Sequence, residues 1–471
     1  VEKILQDYKK PAISVVGLGY VGLATALCFA DAGYEVLGVD IDPEKIRMIA
    51  SGRSPIHEVG IESLLSGSLK DGHFSVSSDV KDAITRTDIT FVTVGTPSQP
   101  DGDIDLSFIS SAAAEIGTAL GAKKEYHLVV VKSTVVPTST TFSILPILET
   151  SSGKKVPVDF GLCFSPEFLR EGTAIEDTMN PDALIIGSED DRSSGVLSRL
   201  YEAFYRGKLP YTLVTSTSNA EFVKYSVNAF RATQLSFLNS LANLCEKIPG
   251  ADVGEVTKGL RAVTKIDERY LKSGLGFGGS CLPKDLRALI STFQKTGLNP
   301  ELLTATLVVN NAQPRRAIEV SREFLGEIRD KQFALLGLSF KPGTDDIRES
   351  VAISLAVALV SSGARVRVYD PRAMSNARHV LGNSVEYAQT AISCLQHADC
   401  CILATGWDEF KKITPSGFKQ LMRNPLIIDG CRLFDAPVFE TTREVSFYQL
   451  GKNHNDARQP EFQVVPAKNY G

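Results

Sequence analysis

The segment Ile13-Ser-Val-Val-Gly17-Leu-Gly19-Tyr20-Val21-Gly22 restricts the fold of this chain more than any other. A short apolar run leads into three glycines at G-x-G-x-x-G spacing, and a helical pattern follows, closed by Gly33. Gly17 permits a tight turn, Gly19 lets the backbone approach a pyrophosphate, and Gly22 lets the helix pack close on the strand. The free N–H groups and positive dipole end of that helix then face the phosphates. A second apolar run ends at Asp40, close to the interval of about 20 residues at which a carboxylate receives ribose hydroxyls. An acid there disfavours a 2′-phosphate, so the expected dinucleotide is NAD and not NADP. Without the strand before and the helix after, the same glycines would describe an ordinary turn of an α/β protein.

Alternation of short β-branched runs with helical patterns extends this unit. Ile13–Val16, Glu35–Val39, Ile89–Val94, Leu128–Val131 and Ala183–Ile186 read as strands. Their apolarity is continuous, as suits strands buried on both faces of a parallel sheet. From Ser218 to Lys247 the chain lacks Gly and Pro and has a helical apolar pattern; Ser218 and Glu221 read as a capping box, and Pro249-Gly250 as the stop. This is a long spine helix, with apolar residues on more than one face, and it is the expected dimer surface. More helix is expected to about residue 325, broken by the loop Ser273–Pro283. Strands then return at Phe333–Leu336, Arg365–Tyr369, Cys401–Ala404 and Leu426–Ile428, with a helix at Val351–Ser361 ending at Gly363. The expected fold is therefore α/β. Two doubly wound, Rossmann-like parallel-sheet domains are joined by a long central helix and a helical dimerisation region. The expected boundaries are 1–214, 215–325 and 326–451, with a polar, extended tail at 452–471.

The 471 residues suffice for about three such units. Lys and Arg number 50 against 55 Asp and Glu, a balance that excludes a sequence-independent grip on nucleic acid. No apolar run approaches the roughly 18 residues of a membrane span. Val1–Lys10 is charged and has no apolar core, so no secretory signal is expected there. The eight cysteines form no CxxC pair and no zinc-finger spacing with His, and most lie in apolar runs, as core residues do. A reducing cytoplasm is the expected compartment, and no metal site is expected.

One cysteine stands apart. Cys281 lies in Gly276-Phe-Gly278-Gly279-Ser-Cys281-Leu-Pro-Lys284-Asp285, where glycines leave the sulfur accessible and Lys284 could help hold a thiolate. It reads either as a nucleophile or as a structural cysteine in a tight turn. Glu167, in Phe164-Ser-Pro-Glu-Phe168-Leu169-Arg170-Glu171-Gly, follows a strand and a proline; it is a general-base candidate or a solvated acid. Lys224 and Asn228, at i and i+4, project from one face of the spine helix. In the last domain the loop Phe340-Lys341-Pro-Gly-Thr-Asp-Asp-Ile-Arg348 keeps only Gly337 of a dinucleotide fingerprint and adds two cations. It suits another phosphate-bearing ligand better than a second dinucleotide.

Together these segments resemble the nucleotide-sugar dehydrogenases, the family that includes UDP-glucose and GDP-mannose dehydrogenases. The resemblance runs from about residue 11 to 450. It rests on Val16-Gly-Leu-Gly-Tyr-Val-Gly-Leu, Val94-Gly-Thr-Pro, Lys132-Ser-Thr-Val, Pro166-Glu-Phe-Leu-Arg-Glu-Gly-Thr-Ala, Asn219 to Phe230, Gly276 to Asp285, and Phe340 to Ser350. It implies NAD-dependent oxidation of a sugar C6 alcohol to the carboxylate in two steps, UDP-glucose to UDP-glucuronate foremost, with GDP-mannose and N-acetylated UDP-hexoses as alternatives. A non-catalytic module binding NAD and a nucleotide sugar is the alternative of another class. By the resemblance, Cys281 attacks the aldehyde and carries a thioester, Glu167 activates water, and Lys224 with Asn228 stabilises the oxyanion. Thr134 and Asp285 hold a water. Gly17, Gly19, Tyr20, Val21, Gly22, Asp40, Lys45, Thr96, Thr134, Glu171 and Arg348 are expected at the cofactor. Phe168, Leu169, Arg170, Lys265, Tyr270, Leu271, Gly278, Phe340, Lys341 and Arg432 are expected at the substrate, alongside Glu167, Lys224 and Asn228.

The chemistry explains these residue types. Two hydrides leave one carbon, and a covalent sulfur adduct keeps the aldehyde from escaping between steps. An alkoxide-like oxygen needs a cation, and thioester hydrolysis needs a base. Two departures fall in the substrate pocket. Lys265 stands where the family usually has an arginine reaching into the neighbour's site, which keeps the charge and loses the bidentate fork. Asp429-Gly-Cys431-Arg432 replaces the usual Asp-Gly-Arg, so the arginine is displaced by one position or its contact is lost.

Overall fold

The computed structural model describes residues 10–266, 270–442 and 444–454. These form two compact units, the first running to residue 229 and taking in 284–299, the second comprising the described residues of 230–283 and those from 300 onward. Most of the expected tail lies outside the described residues. Of its first residues, Lys452 pairs with Glu440, and Asn453 donates to the Glu246 carbonyl at 2.8 Å.

The first unit is built on one sheet. Its strands are β1 (Ile13–Val16), β2 (Val36–Val39), β3 (Phe74–Ser77), β4 (Ile89–Val92), β5 (Leu128–Val131), β6 (Gly161–Phe164), β7 (Ala183–Gly187) and β8 (Tyr211–Thr215). The order is β3-β2-β1-β4-β5-β6-β7-β8, so the strand sequence reverses beside β1. β1 through β6 run parallel, with Ile13 opposite Val36 on one side and Ile89 on the other. β7 meets β6 antiparallel through the single pair Phe164–Gly187, so β7 and β8 form a reversed margin. Both faces are packed. Ile13, Val15, Phe91 and Val130 enter one core with Leu23 and Leu27, while Val16, Val92, Val131 and Phe164 enter the other. Continuous apolarity is the consequence of that double burial.

The second unit repeats the device. Its strands are β9 (Gln332–Leu336), β10 (Arg365–Tyr369), β11 (Glu386–Tyr387), β12 (Cys400–Leu403), β13 (Leu426–Asp429) and β14 (Ser446–Gln449). The order is β11-β10-β9-β12-β13-β14, all parallel. The likeness extends to single residues. Gly17 after β1 and Gly337 after β9 have φ of +96° and +90°, where a side chain is strained. A Cβ on either would come within 3 Å of the backbone leaving the adjacent strand, at Val94 or Thr405. Gly17 N donates to Val39 O, and Gly337 N to Tyr369 O.

The spine helix runs unbroken over Thr217–Cys245. Its N-terminus differs from expectation. Ser216 and not Ser218 accepts from the helix, through Asn219 N, and Glu189 takes the N–H and hydroxyl of Thr217. Glu221 turns inward, where both its oxygens accept backbone N–H groups of Thr138 and Thr140. A buried pair of donors outcompetes a local cap that water could replace. Further helices after the spine are Val253–Thr264, Leu282–Lys295 and Glu301–Leu325. All eight cysteines are free; Cys281 is exposed, Cys431 half-buried and the rest buried.

Candidate active site

Most of the candidate residues gather in two groups, one in each unit. In the first unit the sheet's carboxyl edge gathers them. The turn after β1 leaves Gly19 with no atom within 4 Å of where a Cβ would stand, while a Cβ on Gly22 would strike Gly17 O at 1.8 Å. One glycine therefore keeps the loop open and the other lets the helix Tyr20–Asp31 sit on it. Asp40, at the end of β2, accepts from Leu18 N at 2.8 Å, Asp42 N at 3.0 Å and Lys45 Nζ at 2.8 Å. Burial pushes its carboxyl up, but the Lys45 ammonium and these N–H groups outweigh that and hold it below the ordinary value. It stays ionised and ready to accept hydroxyls. The loop, the helix end and the acid fit a dinucleotide. Further along the same edge, Thr96 Oγ1 donates to Thr134 O at 2.8 Å, tying the loops after β4 and β5.

Glu167 follows β6 and is buried. Lys224 Nζ donates to its Oε1 at 2.8 Å and to its carbonyl at 2.6 Å, and Leu169 N donates to Oε2 at 2.6 Å. The Lys224 ammonium also lies 5.4 Å from the Phe168 ring centre. Burial raises the Glu167 carboxyl, but Lys224, Leu169 N and Lys132 together bring it below the ordinary value. Lys132, which follows β5, completes this arrangement. Burial lowers its ammonium to about 8, Glu167 raises it, and Lys224 lowers it. A carboxylate thus lies between two lysines that repel one another. One helical turn beyond Lys224, Asn228 Nδ2 donates to Asp285 Oδ2 at 2.6 Å, and Lys284 Nζ to Asp285 Oδ1 at 2.6 Å. The Lys284 charge is committed to this acid, so its suggested role beside the thiol finds no support in that pairing. Arg170 is likewise committed, to Asp177. Next to Glu171, the N–H of Gly172 donates to Glu58 at 2.5 Å.

The second unit carries Cys281, one residue before the helix Leu282–Lys295. Ser280 Oγ lies 3.5 Å from its sulfur. The loop before it is locked by contacts that require glycine. Gly276 has φ of +110° and Gly279 of +86°. A Cβ on Gly278 would meet Glu349 O at 2.2 Å, and one on Gly279 the Phe340 ring at 2.7 Å. Asn310 accepts from Phe277 N at 2.7 Å and donates to its carbonyl at 3.0 Å, while Gly279 N donates to Arg348 O at 2.9 Å. The cysteine loop therefore rests on the segment Phe340–Glu349. Lys341 lies 5.6 Å from the Phe340 ring centre, and the Arg348 guanidinium pairs with Asp346.

The remaining substrate candidates are spread more widely. Tyr270 stacks under the Arg231 guanidinium at 4.5 Å, and Leu271 is buried. Lys265 is exposed, in a left-handed conformation that ends the helix Val253–Thr264. Arg432 donates to Asp252 Oδ1 at 2.5 Å and to Leu450 O at 2.8 Å, which fastens the C-terminal segment to that same helix's first residues. Lys132, Glu221 and Asn310 were missing from the sequence-based set. A lysine directly after an apolar strand was the signal for Lys132. Nothing local marks Glu221 or Asn310, whose partners lie 81 and 33 residues away.

Comparisons with known proteins agree along the chain. Residues 11–205, 218–312 and 334–436 match, respectively, the NAD binding, central and UDP binding domains of the UDP-glucose/GDP-mannose dehydrogenase family. A UDP-glucose 6-dehydrogenase of Haloferax volcanii is 41% identical over 422 residues, 89% of this chain and 96% of that one. A GDP-mannose 6-dehydrogenase of Pseudomonas putida is 36% identical, over 92% of this chain and 98% of its own. The structure of a UDP-glucose dehydrogenase from Pyrobaculum islandicum superposes with a TM-score of 0.87 at 37% identity, covering 95% of this chain and 99% of that one. With one ordered run of motifs, two doubly wound sheets and these likenesses over nearly its whole length, the chain belongs to the UDP-glucose/GDP-mannose dehydrogenase family.

Proposed function

We propose that this chain oxidises the C6 alcohol of UDP-glucose to the carboxylate of UDP-glucuronate, using two NAD per sugar. The observation that carries this reading is the buried Glu167–Lys224 pair with Asn228 and Asp285 one turn along, in a chain that also presents a single exposed thiol. Gly17, Gly19, Tyr20, Val21, Gly22, Asp40, Lys45, Thr96, Thr134, Glu171 and Arg348 hold the cofactor, which when bound supplies the acceptor for both hydrides. Phe168, Leu169, Arg170, Lys265, Tyr270, Leu271, Gly278, Phe340, Lys341 and Arg432 form the proposed substrate contacts, of which Arg170 and Arg432 are already engaged, by Asp177 and Asp252.

Lys224 places a fixed positive charge where the alcohol oxygen gains negative charge, in a site with little water to screen it. Departure of the first hydride from C6, with the hydroxyl proton passing to solvent, gives the aldehyde, and the Cys281 sulfur attacks its carbon. A C–S bond forms, the carbonyl π pair moves onto the oxygen beside Lys224, and the sulfur's proton passes to solvent. Departure of the second hydride then restores the C=O bond and leaves a thioester. Water attacks it, the C–S bond breaks, and Glu167 takes the water's proton. Asp285, held by Asn228 and Lys284, fixes a water at the reacting carbon with Thr134. Glu167, held below its ordinary value by Lys224 and Leu169 N, is kept as the carboxylate that can take this proton.

The test is a panel of UDP-glucose, GDP-mannose and N-acetylated UDP-hexoses with NAD, followed by NADH absorbance. Two NADH per UDP-glucose at the highest initial rate is the expected result. A preference for GDP-mannose would move the substrate to the branch that the Pseudomonas putida relative represents. Binding with no NADH over hours would leave only a non-catalytic module. The same reading includes a homodimer formed through the spine helix, and a cytoplasmic location, consistent with eight free thiols. Disulfides in protein purified without reductant would count against that location. Among the described residues no helix is long and apolar enough to cross a membrane.

A further inference from the structure

Asp370 ends β10 as Asp40 ends β2, and the two domains use these equivalent acids differently. Asp40 touches one N–H of its glycine turn and otherwise Asp42 N and Lys45. Asp370 is closed off by protein. Its Oδ2 accepts from Leu338 N at 2.7 Å, Ser339 N at 3.0 Å, Ser339 Oγ at 3.1 Å and Trp407 Nε1 at 3.1 Å. Its Oδ1 accepts from Arg372 N and Ala373 N, each at 2.8 Å. It is 1% exposed. Six donors leave no lone pair for ribose hydroxyls, so the second domain cannot use its acid as the first does.

The acid fastens the start of a loop, and further bonds carry that order outward. Thr405 Oγ1 donates to Ser339 O at 2.5 Å, Ser350 Oγ to Leu338 O at 2.6 Å, and Phe340 N to Asp346 O at 3.0 Å. The outer side of this loop is the surface on which Gly278 and Gly279 lie, against Glu349 O, the Phe340 ring and Arg348 O. Cys281 follows two residues later. We propose that Asp370 is a positioning residue: by holding the loop from Leu338 to Arg348 it sets at once the nucleotide-binding Phe340–Lys341 and the loop that presents the Cys281 thiol. The assignment of Phe340–Lys341 rests on the proposed function; the effect on the thiol does not.

Native full-length chain separates the two. Cys281 is the exposed cysteine, so its alkylation by iodoacetamide, read on its peptide by mass spectrometry, reports the loop without turnover. In Asp370→Asn an N–H₂ faces several N–H donors. The Cys281 alkylation rate should change by about threefold or more and the UDP Kd rise about tenfold, the scale of losing hydrogen bonds to a charged acceptor. The NAD Kd, to which this loop contributes Arg348 alone, should rise by clearly less than the UDP Kd. Trp407→Phe, which removes one donor and keeps the carboxylate, should move both in the same direction by less, and it decides the matter if Asp370→Asn does not fold. Folded variants that alkylate at the wild-type rate overturn the proposal, as does an equal rise in the NAD Kd, which would mean general loosening. An altered alkylation rate with unchanged UDP affinity would keep the positioning role and remove the nucleotide assignment. A wild-type chain inert towards UDP-glucose would defeat the proposed function while leaving the alkylation result intact.

Discussion

At the scale of single residues the site is a problem of placing like charges close together. Lys132 and Lys224 repel, and Glu167 between them makes both tolerable. Lys224→Met leaves that carboxylate buried without its nearest cation. The expected loss of stability is roughly 3–5 kcal/mol, measured by urea unfolding at neutral pH. The pH dependence gives a sharper signature. Glu167 titrates below its ordinary value in the folded chain, so its pairing stabilises fully above about pH 4.3, and this fades as the pH falls through the lower folded value. In Lys224→Met burial dominates the carboxyl, and its contribution should reverse, weakening the fold as the pH rises. Equal acid slopes in the two proteins would show that the pair contributes nothing. Cys281→Ser should lower acid formation by roughly 10³-fold or more, as loss of an enzyme nucleophile does. Acid product at the wild-type rate in NADH assays would remove the sulfur from the reaction. Cys281 was legible in the sequence because glycines surround it. Glu167 and Lys224 read as ordinary polar residues until the resemblance connected them, since their contact spans 57 residues.

At the scale of elements, the strands absent from the sequence reading are informative. β6 is implied in the sequence only as the strand before Glu167, and β3, β8, β11 and β14 carry no strand signal; these last four are the margins of the two sheets. A margin strand has one neighbour and a wetter face, so Phe74-Ser-Val-Ser and Tyr211-Thr-Leu-Val-Thr lack the continuous apolarity that identified the centre. The same reasoning covers Glu221. Read locally it capped a helix; in the fold it holds the turn at Thr138, whose φ of +80° is unusual for a side chain of that kind. Burial raises its carboxyl to about 7 against the opposing bonds from Thr140 and Thr138. A carboxyl raised on folding favours the protonated fold, so its contribution is fully present below about pH 4.3 and is lost as the pH climbs to the folded value. The loss amounts to about 4 kcal/mol, at about 1.4 kcal/mol per pH unit. Glu221→Gln cannot titrate, and its urea-unfolding free energy should lack the decline between about pH 4 and 7 that the wild type shows. Parallel curves would mean that the two N–H groups keep Glu221 ionised throughout.

At the scale of the whole molecule, the doubly wound ends were legible from alternation, and Gly337 as the one remnant of the fingerprint that Gly17 opens, while the kinship of Asp40 and Asp370 was not. Those two acids share a place in a topology and almost no surrounding sequence. What the chain presents outward argues for a partner. Phe230, Phe237 and Leu244 lie seven residues apart along the spine helix and are 63%, 53% and 54% exposed. Heptad spacing puts all three on one stripe, and an apolar stripe of this regularity on an otherwise well-packed helix is unfavourable in water. A second copy of the chain offers the same stripe, and a two-fold axis lets it meet itself. Light scattering at micromolar concentration should therefore give twice the chain mass. Phe230→Asp with Phe237→Asp should halve it, because each carboxylate would be buried unpaired in the interface. The far-ultraviolet circular dichroism should remain unchanged, which distinguishes dissociation from unfolding. A wild-type chain that scatters as a monomer would leave the stripe without this explanation and would make a complete site within one subunit the simpler arrangement.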